Sequence, residues 1–140
     1  MTVTATDFLT CAESIANGGT EIDYRSAISR AYYSAFHAAG EIADLHFPDQ
    51  DAHIAKGSHD RLSDRFKASS NMKAKGVAYM LVLLKKSRHQ ADYSLSDTVV
   101  VDDALQAIAN ARKIHAQLVT CVPAQPSADE SGDAAKSAKS

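Results

Sequence analysis

The sequence predicts an all-α protein, an up-and-down bundle of four or five helices over residues 1–122 followed by a disordered tail over residues 123–140. Alanine occurs 25 times in 140 residues, against 6 Gly and 3 Pro, so strong helix formers far outnumber helix breakers. Apolar residues make up 45% of the chain and recur at the three- and four-residue spacings that align them on one helix face. From Pro123 onwards no large apolar side chain occurs, so the tail has nothing to bury.

The first predicted helix carries five apolar residues at helical spacing, and Thr6 or Asp7 can cap its start. An Asn-Gly-Gly run at residues 17–19 ends it. The five apolar residues are Phe8, Leu9, Ala12, Ile15 and Ala16.

The second predicted helix covers roughly residues 21–45 and ends before Pro48, because proline pushes the preceding residue out of the helical region. Small alanines dominate its apolar stripe, which leaves little apolar area, so the bundle is expected to need a second copy for full stability. The stripe consists of Ile22, Ala27, Ile28, Ala31, Tyr32, Ala35, Ala39, Ile42 and Ala43.

The third helix is predicted over residues 58–67, where a polar Ser-His-Asp start can cap it and Leu62 and Phe66 face inward. After a loop at residues 68–71, the apolar spacing from Met72 predicts a fourth helix that reaches about residue 90.

A turn over residues 93–98 leads to a fifth helix over about residues 101–119. The valine run at residues 99–101 has β-propensity, but one short run without a partner strand cannot form a sheet. The fifth helix is expected to bury Ala104, Leu105, Ile108, Ala111, His115 and Leu118.

Several classes of protein are excluded by absent patterns. The longest apolar run, residues 77–84, is too short to cross a bilayer, and the first residues lack the features of a secretory signal. Cys11 and Cys121 form no disulfide framework or zinc spacing, so both are expected to be buried free thiols in a cytoplasmic protein. No phosphate-binding glycine loop and no Gly-x-Ser-x-Gly elbow occur, and no cofactor is expected.

The net charge of −2 conceals an uneven distribution along the chain. Residues 1–55 sum to −6, residues 56–88 to +7, residues 89–122 to −2 and the tail to −1. A basic middle segment predicts contact with RNA, a nucleotide or an acidic protein. Asp60 and Asp64 lie among these cations, so part of the positive charge is expected to be paired within the protein.

Arg30 and His37 form the first candidate site, because a separation of seven residues places them on nearly the same helix face. A histidine can take a proton from a ribose 2′-hydroxyl while an arginine stabilises the charge on the phosphate, and Tyr33 and Phe36 between them can stack on a base. In the alternative interpretation, Arg30 pairs with an acid such as Asp23 or Glu41 and His37 is an interface residue.

The end of the fourth helix forms the second candidate site. Its charged and aromatic residues are Lys85, Lys86, Arg88, His89, Asp92 and Tyr93. Cations at this position also stabilise the negative end of the helix dipole, which is the structural alternative. No metal site is expected, since the spacing of the nearby imidazoles and carboxylates matches no common set of ligands. These are His46, Asp49, Asp51, His53 and His59.

Three motifs in this order resemble the HEPN family, the "higher eukaryotes and prokaryotes nucleotide-binding" domains. The run Tyr-Arg-Ser-Ala-Ile-Ser-Arg-Ala-Tyr-Tyr-Ser-Ala-Phe-His at residues 24–37 resembles the second-helix signature of that family. The Ser-His start of residues 58–66 is similar to its short helix, and residues 88–93 resemble its "Arg, two residues, Ala-Asp-Tyr" segment. The resemblance covers roughly residues 5–120.

The resemblance implies a helical bundle that pairs into a homodimer through helices near an active groove. Many HEPN proteins are metal-independent ribonucleases of toxin or defence systems, often encoded beside a minimal nucleotidyltransferase that acts as antitoxin. Their motif is an arginine followed after four to six residues by a histidine. Asp92 stands about where that histidine is expected after Arg88, while Arg30 and His37 satisfy the gap in a different helix.

We therefore expect a protein that binds RNA or a nucleotide at a basic groove in a homodimer, with cleavage that leaves a 2′,3′-cyclic phosphate where it is catalytic. The candidate catalytic residues are Arg88, Asp92, Arg30 and His37. The candidate RNA- or nucleotide-binding residues are Tyr33, Lys85, Lys86, His89, Tyr93 and His59. The alternative is a non-catalytic HEPN module that dimerises or docks on a nucleotidyltransferase.

Overall fold

A computed structural model describes residues 2–49 and 57–122, and within them it confirms the all-α prediction: five helices and no strand. The predicted disordered tail after residue 122 lies outside the described residues. No described helix is long and apolar enough to cross a membrane. The helices are α1 (Ala5–Ala16), α2 (Glu21–His46), α3 (Ser58–Lys67), α4 (Met72–Tyr93) and α5 (Val101–Cys121).

Helix α2 is the central element, because it contacts each of the other four helices. Ala27, Ala31, Ala35 and Ala39 recur every four residues along α2 and are all fully buried. Side chains this small let neighbouring helices approach closely, while the buried ring of Tyr32 fills the wider space beside them. As predicted, Leu62 and Phe66 of α3 face the same core.

Side-chain caps begin three of the helices, although not all at the predicted residues. Thr4, not Thr6 or Asp7, caps α1: its hydroxyl accepts from the Asp7 N–H, and the Asp7 carboxylate accepts from the Thr4 N–H at 2.7 Å. A second threonine–aspartate capping box begins α2, and Asn71 caps α4. At α3 the prediction was wrong, since the N-cap is Gly57 and makes no side-chain bond.

Three residues predicted to be buried are exposed: Cys11, Ile22 and Leu105. Each lies about 120–140° around its helix from the buried stripe, so the packing of neighbouring helices leaves it facing solvent.

Cys121 is buried as predicted. His115 is only partly buried, and its Nε2 is hydrogen-bonded to the Ser34 hydroxyl at 2.7 Å, while Ile114 beside it is the buried residue.

Arg25 ties α2 to the end of α4 and to the loop before α5. Its buried guanidinium donates to the carbonyl oxygens of the residues that end α4 and begin the loop. These acceptors are Gln90, Ala91 (2.9 Å), Ser94 (3.2 Å) and Asp97.

Glu21 completes the network, because its carboxylate accepts from Arg25 at 3.0 Å and from the Val99 N–H at 2.9 Å. Those two bonds, that from Val99 first, hold the pKa of Glu21 below its ordinary value.

Replacing Arg25 by methionine is expected to lower the free energy of unfolding by about 3 kcal/mol or more, because buried carbonyl oxygens lose their donors. Urea denaturation measures this change. The matched control is Arg112→Met, which removes an exposed pair with Glu13 and is expected to cost less than about 1 kcal/mol. Equal stability of the two variants would contradict the anchoring role of Arg25.

Candidate functional site

The last turns of α4 place Arg88 against a cluster of aromatic rings at the junction of α2, α3 and α4. The Arg88 residue is only 9% exposed. Its guanidinium carbon lies 5.5 Å from the ring centre of Tyr32, 5.9 Å from that of Tyr33 and 6.0 Å from that of Tyr93. Ring faces attract a cation at these distances and replace part of the water that Arg88 loses.

Arg88 makes almost no use of its hydrogen-bonding groups. Its buried Nε has no partner, and within the described residues its nearest carboxylate is that of Asp92, with Nη1 and Oδ2 3.6 Å apart. Asp92 also accepts from the Ser29 hydroxyl at 3.3 Å. Arg25 is equally buried but donates to five different residues. A buried guanidinium with free donors costs stability, which is typical of a binding site.

His59, on α3, is the second polar group of the cluster. Its Nδ1 is 2.6 Å from the Tyr32 hydroxyl, and its ring centre is 4.6 Å from that of Phe36. Burial, followed by the positive charges of Arg88 and Lys85, holds the pKa of His59 below its ordinary value. The imidazole is therefore neutral at pH 7, and Nε2 is the nitrogen left for a ligand.

The basic middle segment is partly neutralised, as the acids around it led us to expect. Lys85 pairs with Asp60 at 2.8 Å. Two arginines of α3 pair with acids of the first third of the chain: Arg61 with Asp49 at 2.9 Å and Arg65 with Asp44 at 3.1 Å. Several cations of the basic segment therefore join α3 to other parts of the chain. Arg88 is the cation of this segment that lies among the rings.

Two predicted binding residues, His89 and Tyr93, lie at the edge of the cluster, whereas Lys86 points to the far side of α4, because two residues turn a helix by about 200°. Lys86 and His89 are exposed on α4, and the His89 ring centre is 4.8 Å from that of Tyr93. Tyr93 is 65% exposed, although the sequence placed it in a turn and the structure makes it the last residue of α4. The side chains of His89 and Tyr93 can contact a bound molecule from the solvent side.

Arg30 and His37 form a neighbouring cluster that shares Tyr33 with Arg88. The Arg30 guanidinium carbon is 5.3 Å from the ring centre of Phe8 and 5.4 Å from that of Tyr33. The exposed ring of His37 lies 5.0 Å from that of Phe8. The alternative pairing of Arg30 with an acid is absent from the part of the chain that the structure describes, because its contacts there are with rings.

A cleft of about 370 Å³ opens beside Phe36, between α2 and α3. It is lined by Phe36, Gly40, Asp49, Ser58, Arg61, Leu62 and Arg65. The cleft adjoins the His59 ring through Phe36.

The described residues contain no group of three histidines, cysteines or acids that could hold a metal ion. His53 and Asp51, which the sequence analysis weighed as ligands, lie outside the residues that the structure describes.

Two residues that bond across helices at the site were not predicted as site residues from the sequence: Tyr32, which contacts α3, and Ser29, which contacts α4. Tyr32 was predicted only as a core residue, and Ser29 was not singled out. Both lie on one α2 face with Tyr33 and Phe36, at the spacing i, i+3, i+4 and i+7. A polar and aromatic face of this kind is a signal that sequence reasoning can use.

In comparisons with known proteins, no family model, no curated protein and no solved structure matches this chain significantly.

Replacing Arg88 by methionine is expected to leave the free energy of unfolding within about 1 kcal/mol of the wild type, or to raise it. The variant removes a buried charge that has no hydrogen bond in the described structure, while Asp92 remains partly exposed to water. Urea denaturation beside Arg25→Met gives the comparison. A loss as large as that of Arg25→Met would show that Arg88 has a structural role.

Proposed function

We propose that the Arg88 site binds the phosphate of RNA or of a nucleotide. The observation that carries this proposal is the burial of Arg88 among tyrosine rings, without a hydrogen bond to any residue that the structure describes. A phosphate supplies both the negative charge and the several acceptor oxygens that a guanidinium fork prefers. The rings of Tyr33 and Tyr93 offer stacking surfaces for the attached bases.

The three motifs that resemble the HEPN family support the same proposal, because all three contribute to one cluster. The motif at residues 24–37 contributes Tyr33, that at residues 58–66 contributes His59, and that at residues 88–93 contributes Arg88. We therefore propose a HEPN-like protein of a toxin–antitoxin or defence pair, which acts in the cytoplasm and has a minimal nucleotidyltransferase as its partner.

The exposed side of α4, which faces away from Arg88, supports a partner surface. Four of its apolar side chains are 38% to 76% exposed: Met72, Tyr79, Val82 and Leu83. Apolar groups that lie together on a helix surface are typical of protein interfaces. A homodimer, the proposed state, covers them and brings two Arg88 sites into one assembly.

A second candidate function is a non-catalytic module that docks on a nucleotidyltransferase. Asp92 favours it, since the ribonuclease motif of the family has a histidine after the arginine and an aspartate is a weaker base near neutral pH. The same exposed α4 surface then binds the nucleotidyltransferase. Co-purification with that enzyme, by a protein that binds no RNA or nucleotide, would favour this function over the first.

Single-stranded RNA is expected to bind the wild-type protein in EDTA, and Arg88→Met to weaken binding by about tenfold or more, because a buried charged hydrogen-bond donor is lost. Fluorescence anisotropy of a labelled RNA of about ten nucleotides measures this, with ATP and GMP as competitors. The matched control is Arg112→Met, which removes the same charge on α5 and is expected to change affinity less than about twofold.

The comparison of the two arginine variants separates a specific site from general electrostatic attraction to RNA. Non-specific binding depends on the overall charge and weakens equally in the two arginine variants. Equal losses in Arg88→Met and Arg112→Met would therefore remove Arg88 from the site, and no binding of RNA or nucleotide by the wild type would contradict the proposed function.

A further inference from the structure

His59 reaches Arg88 from a different helix, so the structure joins an imidazole and a guanidinium that lie 29 positions apart in the sequence. Both contact the same two rings: the His59 ring centre is 5.5 Å from that of Tyr32 and 6.0 Å from that of Tyr33. The Arg88 guanidinium carbon is 5.5 Å and 5.9 Å from those rings. The positive charge of Arg88 also acts on His59, so the two groups belong to one cluster.

The Tyr32 hydroxyl determines which nitrogen of His59 is available. It bonds to Nδ1, and Nε2 has no hydrogen bond within the described structure. In the tautomer with the proton on Nδ1, that N–H donates a hydrogen bond to the Tyr32 oxygen and the lone pair of Nε2 is free. The same bond persists when Nε2 takes up a proton and the ring becomes charged, so Tyr32 holds the ring in one orientation in both states.

Other groups near Arg88 are less suited to accept a proton. The Asp92 carboxylate accepts from the Ser29 hydroxyl at 3.3 Å and lies 3.6 Å from the positive charge of Arg88, and an aspartate is a weaker base than a histidine near neutral pH. His37 is exposed and contacts only rings in the described structure, and His89 lies on the ring of Tyr93. His59 is the imidazole of the site that has a polar partner to orient it.

We propose that the site cleaves RNA and that His59, rather than Asp92 or His37, is its catalytic base. This inference rests on the proposed function, because RNA must first bind at Arg88. Nε2 of His59 takes the proton of a ribose 2′-hydroxyl, and Arg88 stabilises the negative charge that develops on the phosphate oxygens.

The step balances without a metal ion or any co-reactant other than water. The 2′ oxygen forms a bond to phosphorus, and the bond from phosphorus to the 5′ oxygen breaks. The 2′-hydroxyl proton moves to His59, water protonates the departing 5′ oxygen, and His59 then releases its proton to solvent. The products are a 2′,3′-cyclic phosphate and a 5′-hydroxyl.

The charges around His59 suit this role. Burial, followed by the charges of Arg88 and Lys85 of α4, holds the pKa of His59 down, and Asp60 on its own helix acts in the opposite direction. Tyr32 of α2 is held neutral because burial raises the pKa of its phenol. The free imidazole is therefore unprotonated at pH 7. A bound phosphate offsets the charge of Arg88 and moves the pKa of His59 back towards neutrality, where a base works best.

The test uses a labelled single-stranded RNA in EDTA, with cleavage followed on gels and the products identified by mass. His59→Asn keeps a polar atom near the Nδ1 position but lacks Nε2, so it is expected to lower kcat about 100-fold or more while RNA affinity changes less than about threefold. His46→Asn, outside the site on α2, is the matched control and should cut like the wild type. A substrate with a 2′-deoxyribose at the cleaved position should bind and remain intact.

Tyr32→Phe provides a second variant, because it removes only the hydroxyl that positions His59. It is expected to lower kcat about tenfold with an unchanged KM. In the wild type, kcat/KM should fall towards acid with a slope of one proton, and this limb should lie below the ordinary pKa of histidine.

The outcomes separate this inference from the proposed function. Arg88-dependent RNA binding by a wild type that does not cut would overturn the role of His59 and leave the binding function intact. The absence of RNA binding would remove both. Cleavage by His59→Asn at the wild-type rate, or its loss in His37→Asn or Asp92→Asn alone, would assign the base to another residue.

Discussion

The end of α4 is held against α2 by a buried arginine, and the arrangement of the candidate site depends on that contact. Arg25 donates to carbonyl oxygens that end the helix and begin the loop, and Glu21 joins the loop from the other side. Helix ends leave such carbonyls without partners, and Arg25 supplies donors to those at the end of α4. It thereby ties the last turns of α4 to α2, the helix that carries Tyr32 and Tyr33.

Two buried arginines, Arg25 and Arg88, therefore have opposite roles in the same junction. The free energy lost when Arg25 leaves water is recovered in hydrogen bonds, whereas Arg88 recovers only part of it from ring faces and one distant carboxylate. The fold tolerates the free-energy cost of burying Arg88 because the other polar groups of the junction are hydrogen-bonded. A preorganised binding site commonly contains such a group, which lowers the stability of the fold locally and is held in place by stable structure around it.

The distribution of charge is explained by the same division between structure and site. Cations of α3 meet acids from the first third of the chain, and Lys85 meets Asp60, so these pairs place α3 and its histidine. Because the pairs are partly exposed, each contributes little stability, and their effect lies in orientation. The groups outside these pairs are one buried cation, one neutral imidazole and a set of rings, and for this reason we propose a phosphate with an attached base as the ligand.

The sequence by itself determined the five helices, the inward-facing residues of α3 and the chemical types at the site, including Arg88 and His59. These follow from local rules, since helical spacing, breakers and charge are readable along one segment. Only the tertiary structure decided that Arg88 is buried, that Tyr32 bonds His59, and that Cys11, Ile22 and Leu105 face solvent. The reason is physical: spacing fixes which residues share a helix face, whereas the rotation of each helix about its axis is set by packing against the others.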